Sequence, residues 1–355
     1  MPKTTCLKVP KKSGEQAIRL LRELKLHDSS LRVKQTGDFL CIPLKSEPKT
    51  STLKKIESTL SEYELYSQNF SEQPKRHLAP QDFLTNKLPP DLLAVIPRAI
   101  DFVGEIAIVE ITPKLVEYKT AIGQAILNAH KPTKTVLAKS GAVEGVFRLR
   151  DFEVIAGKKQ TATVYKEYGC LYHVDVAKAY FSPRLSSEHN RVANATNDGE
   201  TVVDLFAGVG PFAVPIAKMH KNVRVYGVDV NPDAVELLKR NIAVNRVEKQ
   251  VIPILEDARQ VVKERLFGKA DRVIMNLPET ALDFVDVACQ TLKPEGGVVH
   301  FYDFVRGSDP QKTASVRLTN AVKKSKRRLS EVLLAKTVRE VAPYTWQVVV
   351  DAKIQ

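Results

Sequence analysis

The sequence predicts an α/β protein in which a doubly wound, mostly parallel, Rossmann-like sheet follows two smaller α+β domains. Three observations support this fold class. From about residue 191, apolar strand-like runs alternate with helix-like runs, as expected of a doubly wound sheet. The first of these strands ends in a glycine turn at Gly208 and Gly210, and the second ends in an acid, Asp229. The residues before 191 lack this alternation, and a polar segment bounded by prolines divides them at 66–80.

Residues 1–69 are expected to form the first α+β domain. The pattern predicts a short strand at 6–9, a helix at 13–26, a hairpin at 31–44 and a second helix at 51–63. The segment contains 13 lysines and arginines against 8 acidic residues. Such a basic surface either faces solvent or contacts nucleic acid, and both alternatives stay open at this point.

Two further domains are expected, an intermediate α+β domain at 70–190 and the Rossmann-like domain at 191–355. The intermediate elements are a helix that starts at Pro89 and Pro90, a strand at 102–111, a helix at 115–130, a strand at 135–138 and a hairpin at 161–174. The third domain is predicted to contain strands at 201–205, 223–229, 251–255, 272–276 and 297–302, with helices at 211–219, 233–245, 281–292 and 311–325. Two adjacent strand-like runs, 332–341 and 345–354, are predicted to close it as a hairpin.

The composition indicates a polyanionic partner. The chain has 355 residues, 43% of them hydrophobic, which is enough for two or three domains with cores. Its formal net charge is +13, although adaptation to high temperature also enriches lysine and arginine. The four cysteines are far apart and form no C-x-x-C pair, so neither a disulfide framework nor a metal site is expected. With no signal-like N-terminus and no apolar run of about 18 residues, we expect a cytoplasmic protein without a membrane partner.

The glycine turn and Asp229 together predict a nucleotide site. Glycine lets the backbone approach a ligand closely, and an acid at a strand end can accept hydrogen bonds from two ribose hydroxyls. Gly208, Gly210 and Ala213 also satisfy the dinucleotide pattern, so an NAD-dependent oxidoreductase is one alternative. Asp204 favours S-adenosylmethionine (SAM) instead, because an acid inside the turn repels a pyrophosphate but suits an ammonium group. The terminal hairpin is also typical of class I methyltransferases, and we expect a SAM-dependent domain of that class.

Two acids are the main candidates for holding the cofactor. Asp229 is expected to chelate the ribose, since Asn231 and Pro232 already supply a helix start. Asp257 follows the third strand, where it either hydrogen-bonds the adenine amine or caps the next helix. The predicted cofactor-binding residues are Asp204, Phe206, Gly208, Gly210, Asp229, Val230, Asp257, Ala258 and Asn276.

The strand at 272–276 ends in Asn276-Leu277-Pro278-Glu279, which predicts a site for the methyl acceptor. An amide side chain beside a stiff proline can hold the edge of a base in line with the methyl group. The motif lacks the second proline and the aromatic residue of the common exocyclic-amine signature, which favours a ring nitrogen as the acceptor. The alternative is an ordinary turn at a strand end.

Several blocks of the sequence resemble the archaeal tRNA guanine-N1 methyltransferase family, which methylates the guanosine just 3′ of the anticodon, at position 37. The N-terminal pattern is similar as well, so the resemblance covers nearly the whole chain. The blocks are Gly145-Val-Phe-Arg148-Leu-Arg150-Asp-Phe-Glu153, Tyr180-Phe-Ser-Pro-Arg184-Leu-Ser-Ser-Glu188, residues 204–212 and Asn276-Leu-Pro278.

The resemblance implies roles for residues that the pattern alone would assign to solvated surface. Glu188 would remove the N1 proton of guanine, Arg148 would stabilise the charge that develops on O6, and Tyr180 would shape the pocket or stack on the base. Asn276 and Pro278 complete the implied catalytic set. The chain departs from the family at His189, where an arginine commonly follows the acid.

We expect a monomer. The resemblance implies contacts with tRNA at the anticodon loop and, through the N-terminal domain, at the elbow. The basic run 323–328 would contact phosphates, or would only be the solvated end of a helix. Relatives on the same scaffold act in the wyosine pathway, where they methylate a guanine carbon or transfer the aminocarboxypropyl group of SAM. A non-catalytic RNA-binding module is a further alternative.

Overall fold

The computed structural model describes residues 2–73, 78–145 and 147–355. Residues 74–77 of the predicted linker and Val146 of the block 145–153 lie outside these ranges. The chain forms two compact units, Met1–His77 and Leu78–Gln355. The finer division at 69/70 and 190/191 stays a prediction.

The N-terminal unit is a four-stranded antiparallel sheet with two helices, as the sequence indicates. The strands pair in the order β2-β3-β1-β4, and apolar residues such as Leu7, Leu21 and Ile56 form its core. One prediction was wrong. Residues 66–69 belong to β4 and not to a linker, because the strand pairs with β1 from Lys3↔Asn69 to Lys8↔Glu64. The elements are β1 (Lys3–Pro10), α1 (Gly14–Glu23), β2 (Lys34–Thr36), β3 (Phe39–Pro43), α2 (Thr50–Thr59) and β4 (Glu64–Asn69).

The next segment contains a four-stranded sheet, in the order β5-β6-β7-β8, and a separate hairpin of β9 and β10. Its elements are α3 (Pro90–Ala94), β5 (Ile100–Val103), β6 (Ile106–Val109), α4 (Lys119–Ala129), β7 (Thr135–Glu144), β8 (Leu149–Gly157), β9 (Ala162–Glu167) and β10 (Cys170–Asp175). The single strand predicted at 102–111 is part of a tight hairpin that turns at Gly104, whose φ of +54° suits glycine. The sequence interpretation also missed β8.

The C-terminal part is a seven-stranded sheet in the order β13-β12-β11-β14-β15-β17-β16. Strands β11 to β15 pair in parallel, whereas β17 is antiparallel to both of its neighbours. The elements are α5 (Ser186–Ala195), β11 (Thr201–Asp204), α6 (Ala213–Met219), β12 (Arg224–Asp229), α7 (Pro232–Asn245), β13 (Val251–Leu255), α8 (Ala258–Val261), β14 (Arg272–Met275), α9 (Val285–Thr291), β15 (Gly297–Arg306), α10 (Pro310–Lys324), β16 (Leu329–Ala342) and β17 (Thr345–Ile354).

This topology positions a site at one edge of the sheet. Strand β11 lies between β12 and β14, so the helices that follow β11 and β14 leave on opposite sides and a crevice opens at the carboxyl ends of these strands. The predicted helix start at Asn231 is confirmed, because its side chain accepts hydrogen bonds from the backbone of Asp233 and Ala234. Among the described residues, no helix is both long and apolar enough to cross a membrane.

Candidate active site

A cavity of about 210 Å³ lies at the carboxyl ends of the parallel strands. Its wall brings together residues from the loop between β7 and β8, from the segment before α5 and from the ends of β11, β12, β13 and β14. Most of the residues predicted for catalysis or cofactor binding line it, whereas Asp204, Gly210 and Glu188 do not. The predicted residues on the wall are Arg148, Tyr180, Phe206, Gly208, Asp229, Val230, Asp257, Ala258, Asn276 and Pro278.

The two glycines of the turn have different roles in the structure. Gly208 lies on the cavity wall with a φ of +52°, and its N–H donates to Oδ2 of Asp229 over 2.7 Å. Gly210 does not line the cavity, contrary to the prediction that it binds the cofactor. A Cβ at this position would lie 2.5 Å from Cδ1 of Leu238, so Gly210 is required for packing against α7.

Asp229 has both carboxylate oxygens fixed by backbone donors. Its Oδ1 accepts from the N–H of Asn231 at 2.9 Å, and its Oδ2 accepts from Gly208. Each oxygen keeps a further lone pair, which is what two ribose hydroxyls require. Burial raises the pKa of Asp229 above its usual range. The geometry fits the predicted ribose contact.

Asp204 occupies a different environment from the one that the sequence predicts. Its side chain is fully buried and is not part of the cavity wall, so it does not contact a ligand there. Oδ1 accepts from the N–H of Phe206 at 3.3 Å, while Oδ2 has no hydrogen-bond partner among the described residues. Burial, and to a smaller extent the charge of Asp229, raise the pKa of Asp204 to about 7. An acid at the last position of β11 is enclosed by the sheet and by the turn above it.

The end of the cavity beyond Asp229 is formed by residues that follow β13. Asp257 caps α8, since its Oδ1 accepts from the N–H of Arg259 at 2.9 Å and of Gln260 at 3.3 Å. It also lines the cavity, beside Glu256 and Ala258. Capping and ligand binding, which the sequence left as alternatives, are therefore compatible in this position.

The residues that follow β14 form the opposite end. Asn276, Leu277 and Pro278 all line the cavity. Oδ1 of Asn276 is buried and has no hydrogen-bond partner among the described residues. An unpaired buried acceptor costs about 1–3 kcal/mol, so its presence at a cavity wall is typical of a ligand-binding group. The sequence prediction of an acceptor site at this turn agrees with the geometry.

Arg148 reaches the cavity from the loop between β7 and β8 and pairs with Glu279. Its Nη1 donates to Oε2 at 2.6 Å and its Nη2 donates to Oε1 at 2.5 Å. The pairing holds the pKa of Glu279 below its usual range. Arg148 has a φ of +54°, a left-handed conformation that a non-glycine residue adopts at a cost. The structure thus places a strained, ion-paired arginine beside the Asn276–Pro278 turn.

Tyr180 lies on the same side of the cavity with 47% of its surface exposed. Its hydroxyl accepts from Nη2 of Arg339 at 3.3 Å, and Nη1 of Arg339 donates to Oγ of Ser182 at 3.3 Å. Nε of Arg339 is fixed by Oε1 of Gln347 at 2.8 Å. No sequence pattern indicated Arg339, which reaches the wall because β16 and β17 pair at that position.

Glu188 is buried and lies outside the cavity wall, so the structure does not place the predicted base against the cavity. It is 1% exposed and accepts from Nε of Arg191 at 3.0 Å and from the hydroxyl of Tyr302 at 3.1 Å. Nζ of Lys336 lies 2.5 Å from its Oε1. The first turn of α5 faces β15 and β16 at this residue, which is why the side chain meets these donors and not the cavity. The solvated-surface interpretation of Glu188 is also wrong.

His189, the residue that departs from the family pattern, lines the cavity instead. It is 2% exposed, and its Nδ1 lies 2.7 Å from Oε1 of the buried Glu167. Its ring packs edge-on against Phe212, with centroids 4.7 Å apart. The sequence interpretation did not assign it a role.

Comparison with known proteins identifies the family. The chain matches the TRM5/TYW2 methyltransferase domain over residues 163–330, the TYW2 N-terminal domain over 81–161 and the tRNA methyltransferase 5 N-terminal domain over 6–52. It is 36% identical over 351 residues to the tRNA (guanine(37)-N(1))-methyltransferase Trm5b of Pyrococcus abyssi, and the match covers 99% of each chain. The chain belongs to the TRM5/TYW2 family. The resemblance noted in the sequence is thereby confirmed.

A wyosine-pathway member of the TRM5/TYW2 family matches less of the chain. The tRNA 4-demethylwyosine(37)-methyltransferase Taw21 of Saccharolobus solfataricus is 34% identical over 260 residues, which is 72% of this chain and 94% of that protein. Taw21 therefore matches less of this chain than Trm5b of Pyrococcus abyssi does.

Solved structures of the TRM5/TYW2 family support the fold. A complex of aTrm5 with tRNALeu superposes with a TM-score of 0.72 at 34% identity and covers 99% of both chains. Methanocaldococcus jannaschii TYW2 in complex with AdoMet (SAM) has a TM-score of 0.56 at 31% identity, covering 72% of this chain and 99% of that one. The predicted class I, Rossmann-like methyltransferase fold is confirmed.

Proposed function

We propose that this protein transfers the methyl group of SAM to N1 of the guanosine at position 37 of tRNA. One observation supports this assignment above the others: the chain matches a tRNA (guanine(37)-N(1))-methyltransferase from end to end, including the N-terminal segment 6–52. An NAD-dependent oxidoreductase does not fit a member of a methyltransferase family.

The cavity wall fits SAM in several respects. The twice-anchored carboxylate of Asp229 suits a ribose, and Gly208 lets the backbone lie close to the ligand. Asp257 is positioned for the adenine amine beside Ala258, and Phe206 packs edge-on against Phe284 to form an apolar side. When bound, SAM supplies an electrophilic methyl group on a sulfonium.

We assign the guanine to the Asn276–Pro278 end. Oδ1 of Asn276 is an unpaired acceptor that suits an N–H group on the edge of a base. Tyr180, half exposed beside it, offers a ring on which an extruded base can stack. Arg148 keeps N–H groups that Glu279 does not use, and these can donate to O6 as negative charge develops there.

The N1 proton must leave before the nitrogen can attack. We assign its removal to Glu188, whose carboxylate lies among three donors and which directly precedes the wall residue His189. In the structure described here, Lys336 and the first turn of α5 hold this carboxylate away from the cavity. Guanine binding must therefore shift α5, β16 or both, and a Lys336 that is 39% exposed is the partner most easily displaced.

The N-terminal unit is proposed to bind the tRNA elbow, while the anticodon loop reaches the cavity. Arg22, Lys25 and Lys45, together with His27 and Ser29, surround a cavity of about 290 Å³ in this unit. The three cations suit phosphates of the RNA backbone. We further propose that the enzyme is a monomer with domains 1–69, 70–190 and 191–355. We also propose that it is cytoplasmic, in keeping with its four free and buried cysteines.

The competing function is a wyosine-pathway reaction, and the partial match to Taw21 is the observation that supports it. Incubation with SAM and tRNA, followed by mass spectrometry of the nucleosides, separates the two. We expect 1-methylguanosine from tRNA with an unmodified guanosine at position 37. A product formed only on tRNA that already contains 4-demethylwyosine, or one that contains an aminocarboxypropyl group, would replace our assignment.

A further inference from the structure

The cavity has a third region that neither the ribose site nor the acceptor site uses. If Asp229 holds the ribose as proposed, the adenine would lie beside Asp257, which lines the same cavity. The amino-acid end of the donor would then lie on the other side of the ribose, near the turn that leads to Phe212. Sequence reasoning assigned its ammonium group to Asp204, but that side chain is fully buried and does not line the cavity. The ammonium group therefore needs another partner.

His189 and Glu167 form a buried pair at this place. The imidazole packs edge-on against Phe212 and lines the cavity, so it lies where the turn meets α5. Oε1 of Glu167 is 2.7 Å from Nδ1, and both side chains are at most 5% exposed. Nε2 makes no hydrogen bond to any described residue.

The partner of Nδ1 determines what Nε2 can do. An ionised carboxylate only accepts hydrogen bonds, so in this pairing Nδ1 is the protonated nitrogen and donates to Oε1 of Glu167. In the neutral imidazole, Nε2 is then an acceptor with a free lone pair. With Nδ1 donating to Glu167, the imidazole presents an acceptor to the cavity, and an acceptor suits an ammonium group better than a carboxylate.

We propose that His189, oriented by Glu167, accepts a hydrogen bond from the α-ammonium group of the methyl donor. This inference rests on the proposed use of SAM. It gives a protein partner to the ammonium group, which the complete donor has and its adenosine portion lacks. Glu167 acts as a positioning residue, because it contacts only the imidazole and not the ligand.

Two ligands test the proposal by calorimetry on the full chain. S-adenosylhomocysteine contains the ammonium group, whereas 5′-methylthioadenosine lacks the amino-acid portion but keeps the ribose and the adenine. His189→Asn retains a donor near the position of Nδ1 for Glu167 and removes the group that reaches the cavity. We expect it to weaken binding of S-adenosylhomocysteine by about ten- to one-hundredfold, the effect of a charged hydrogen bond. Its affinity for 5′-methylthioadenosine should change less than about twofold, which also shows that the variant is folded.

Two further variants complete the test. His189→Gln places an amide oxygen near the position of Nε2 and should recover part of the lost affinity for S-adenosylhomocysteine. His220→Asn is the matched control. His220 also pairs with a carboxylate, that of Asp198 at 3.1 Å, but it lies outside the cavity. This variant should bind both ligands as the unaltered protein does. Equal weakening of both ligands in His189→Asn, or no weakening, overturns the proposal. Failure of the unaltered protein to bind either ligand overturns the proposed function itself.

Discussion

Glu279 holds the guanidinium of Arg148 by two hydrogen bonds of 2.6 and 2.5 Å, at the mouth of a cavity lined by both Arg148 and the turn that precedes Glu279. The two residues are 131 positions apart in the chain. The pair fixes the planar fork of Arg148, whose backbone is already in a left-handed conformation. It therefore connects the loop between β7 and β8 to the turn after β14 and sets the direction of the arginine assigned to O6.

The pair is expected to position Arg148 for catalysis. Glu279→Gln should lower kcat by about tenfold to a hundredfold, because a misplaced guanidinium stabilises the developing charge on O6 less well. KM for SAM should not change. Steady-state kinetics with tRNA gives both parameters. Since Arg148 lowers the pKa of Glu279, the pair persists at weakly acidic pH and is lost only as the pH falls through that lowered pKa.

A matched control exists for this prediction. Lys119 and Glu153 form another two-contact pair, with distances of 2.6 and 2.9 Å, and neither residue lines the cavity. Glu153→Gln should leave kcat unchanged. If Glu279→Gln and Arg148→Ala lower kcat independently, so that their effects multiply in the double variant, Glu279 does not act through Arg148.

Glu188→Gln tests the assignment of the base. An amide cannot take the N1 proton, so kcat should fall by at least about a hundredfold while KM for SAM and for tRNA stay close to those of the unaltered protein. Single-turnover methylation with saturating tRNA measures this loss. Asp351→Asn is the control, since Asp351 is a buried acceptor for the same Arg191 but is farther along the network. A Glu188→Gln enzyme that retains most of its activity would place the base elsewhere on the wall.

Asp204→Asn should stabilise the protein at pH 8. Burial raises the pKa of Asp204 in the folded state from its ordinary value of 3.8 to about 7. Below about pH 4 the carboxyl is protonated in both states, and between pH 4 and 7 the unfolded state loses this proton more readily than the folded state. Stability therefore falls as the pH rises through this range, by at most about 4 kcal/mol for a shift of this size.

The measurement is urea unfolding at pH 4 and pH 8. The single tryptophan, Trp346, lies in β17 and reports on the sheet that contains Asp204. The quantity compared is the free energy of unfolding of Asp204→Asn minus that of the unaltered protein. This difference should be several kcal/mol larger at pH 8 than at pH 4. A difference independent of pH would show that Asp204 is not held in its protonated form.

The basic cavity of the N-terminal unit is expected to bind RNA phosphates. Lys25→Ala combined with Lys45→Ala should weaken tRNA binding and reduce the slope of log affinity against log salt concentration by about two. Filter binding at several salt concentrations measures this slope. Lys54→Ala with Lys55→Ala, on the exposed face of α2, should have little effect. An unchanged slope in the first variant would exclude these phosphates as partners.

Local signals made the Rossmann-like sheet predictable. Alternating strands and helices, the glycine turn and the Asn231 cap depend on short stretches of sequence, and the structure confirms them. The closing hairpin of β16 and β17 was predictable for the same reason. Residues that follow a strand end and were predicted to bind the cofactor, such as Asp229, do line the cavity, while their contact with the cofactor stays a prediction.

Features that depend on distant parts of the chain were not predictable. The burial of Glu188 requires Tyr302, 114 positions later, and the wall position of Arg339 requires the register of β16. Asp204 was assigned to the ligand because the sequence does not show that the sheet would enclose it. Strand β4 was missed since its pairing partner lies at the start of the chain.

The most direct test of the central claim uses labelled SAM and two unmodified tRNA transcripts that differ only in having guanosine or adenosine at position 37. We expect label in the guanosine transcript alone, recovered as 1-methylguanosine. Equal labelling of both transcripts, or labelling of neither, would contradict the assignment.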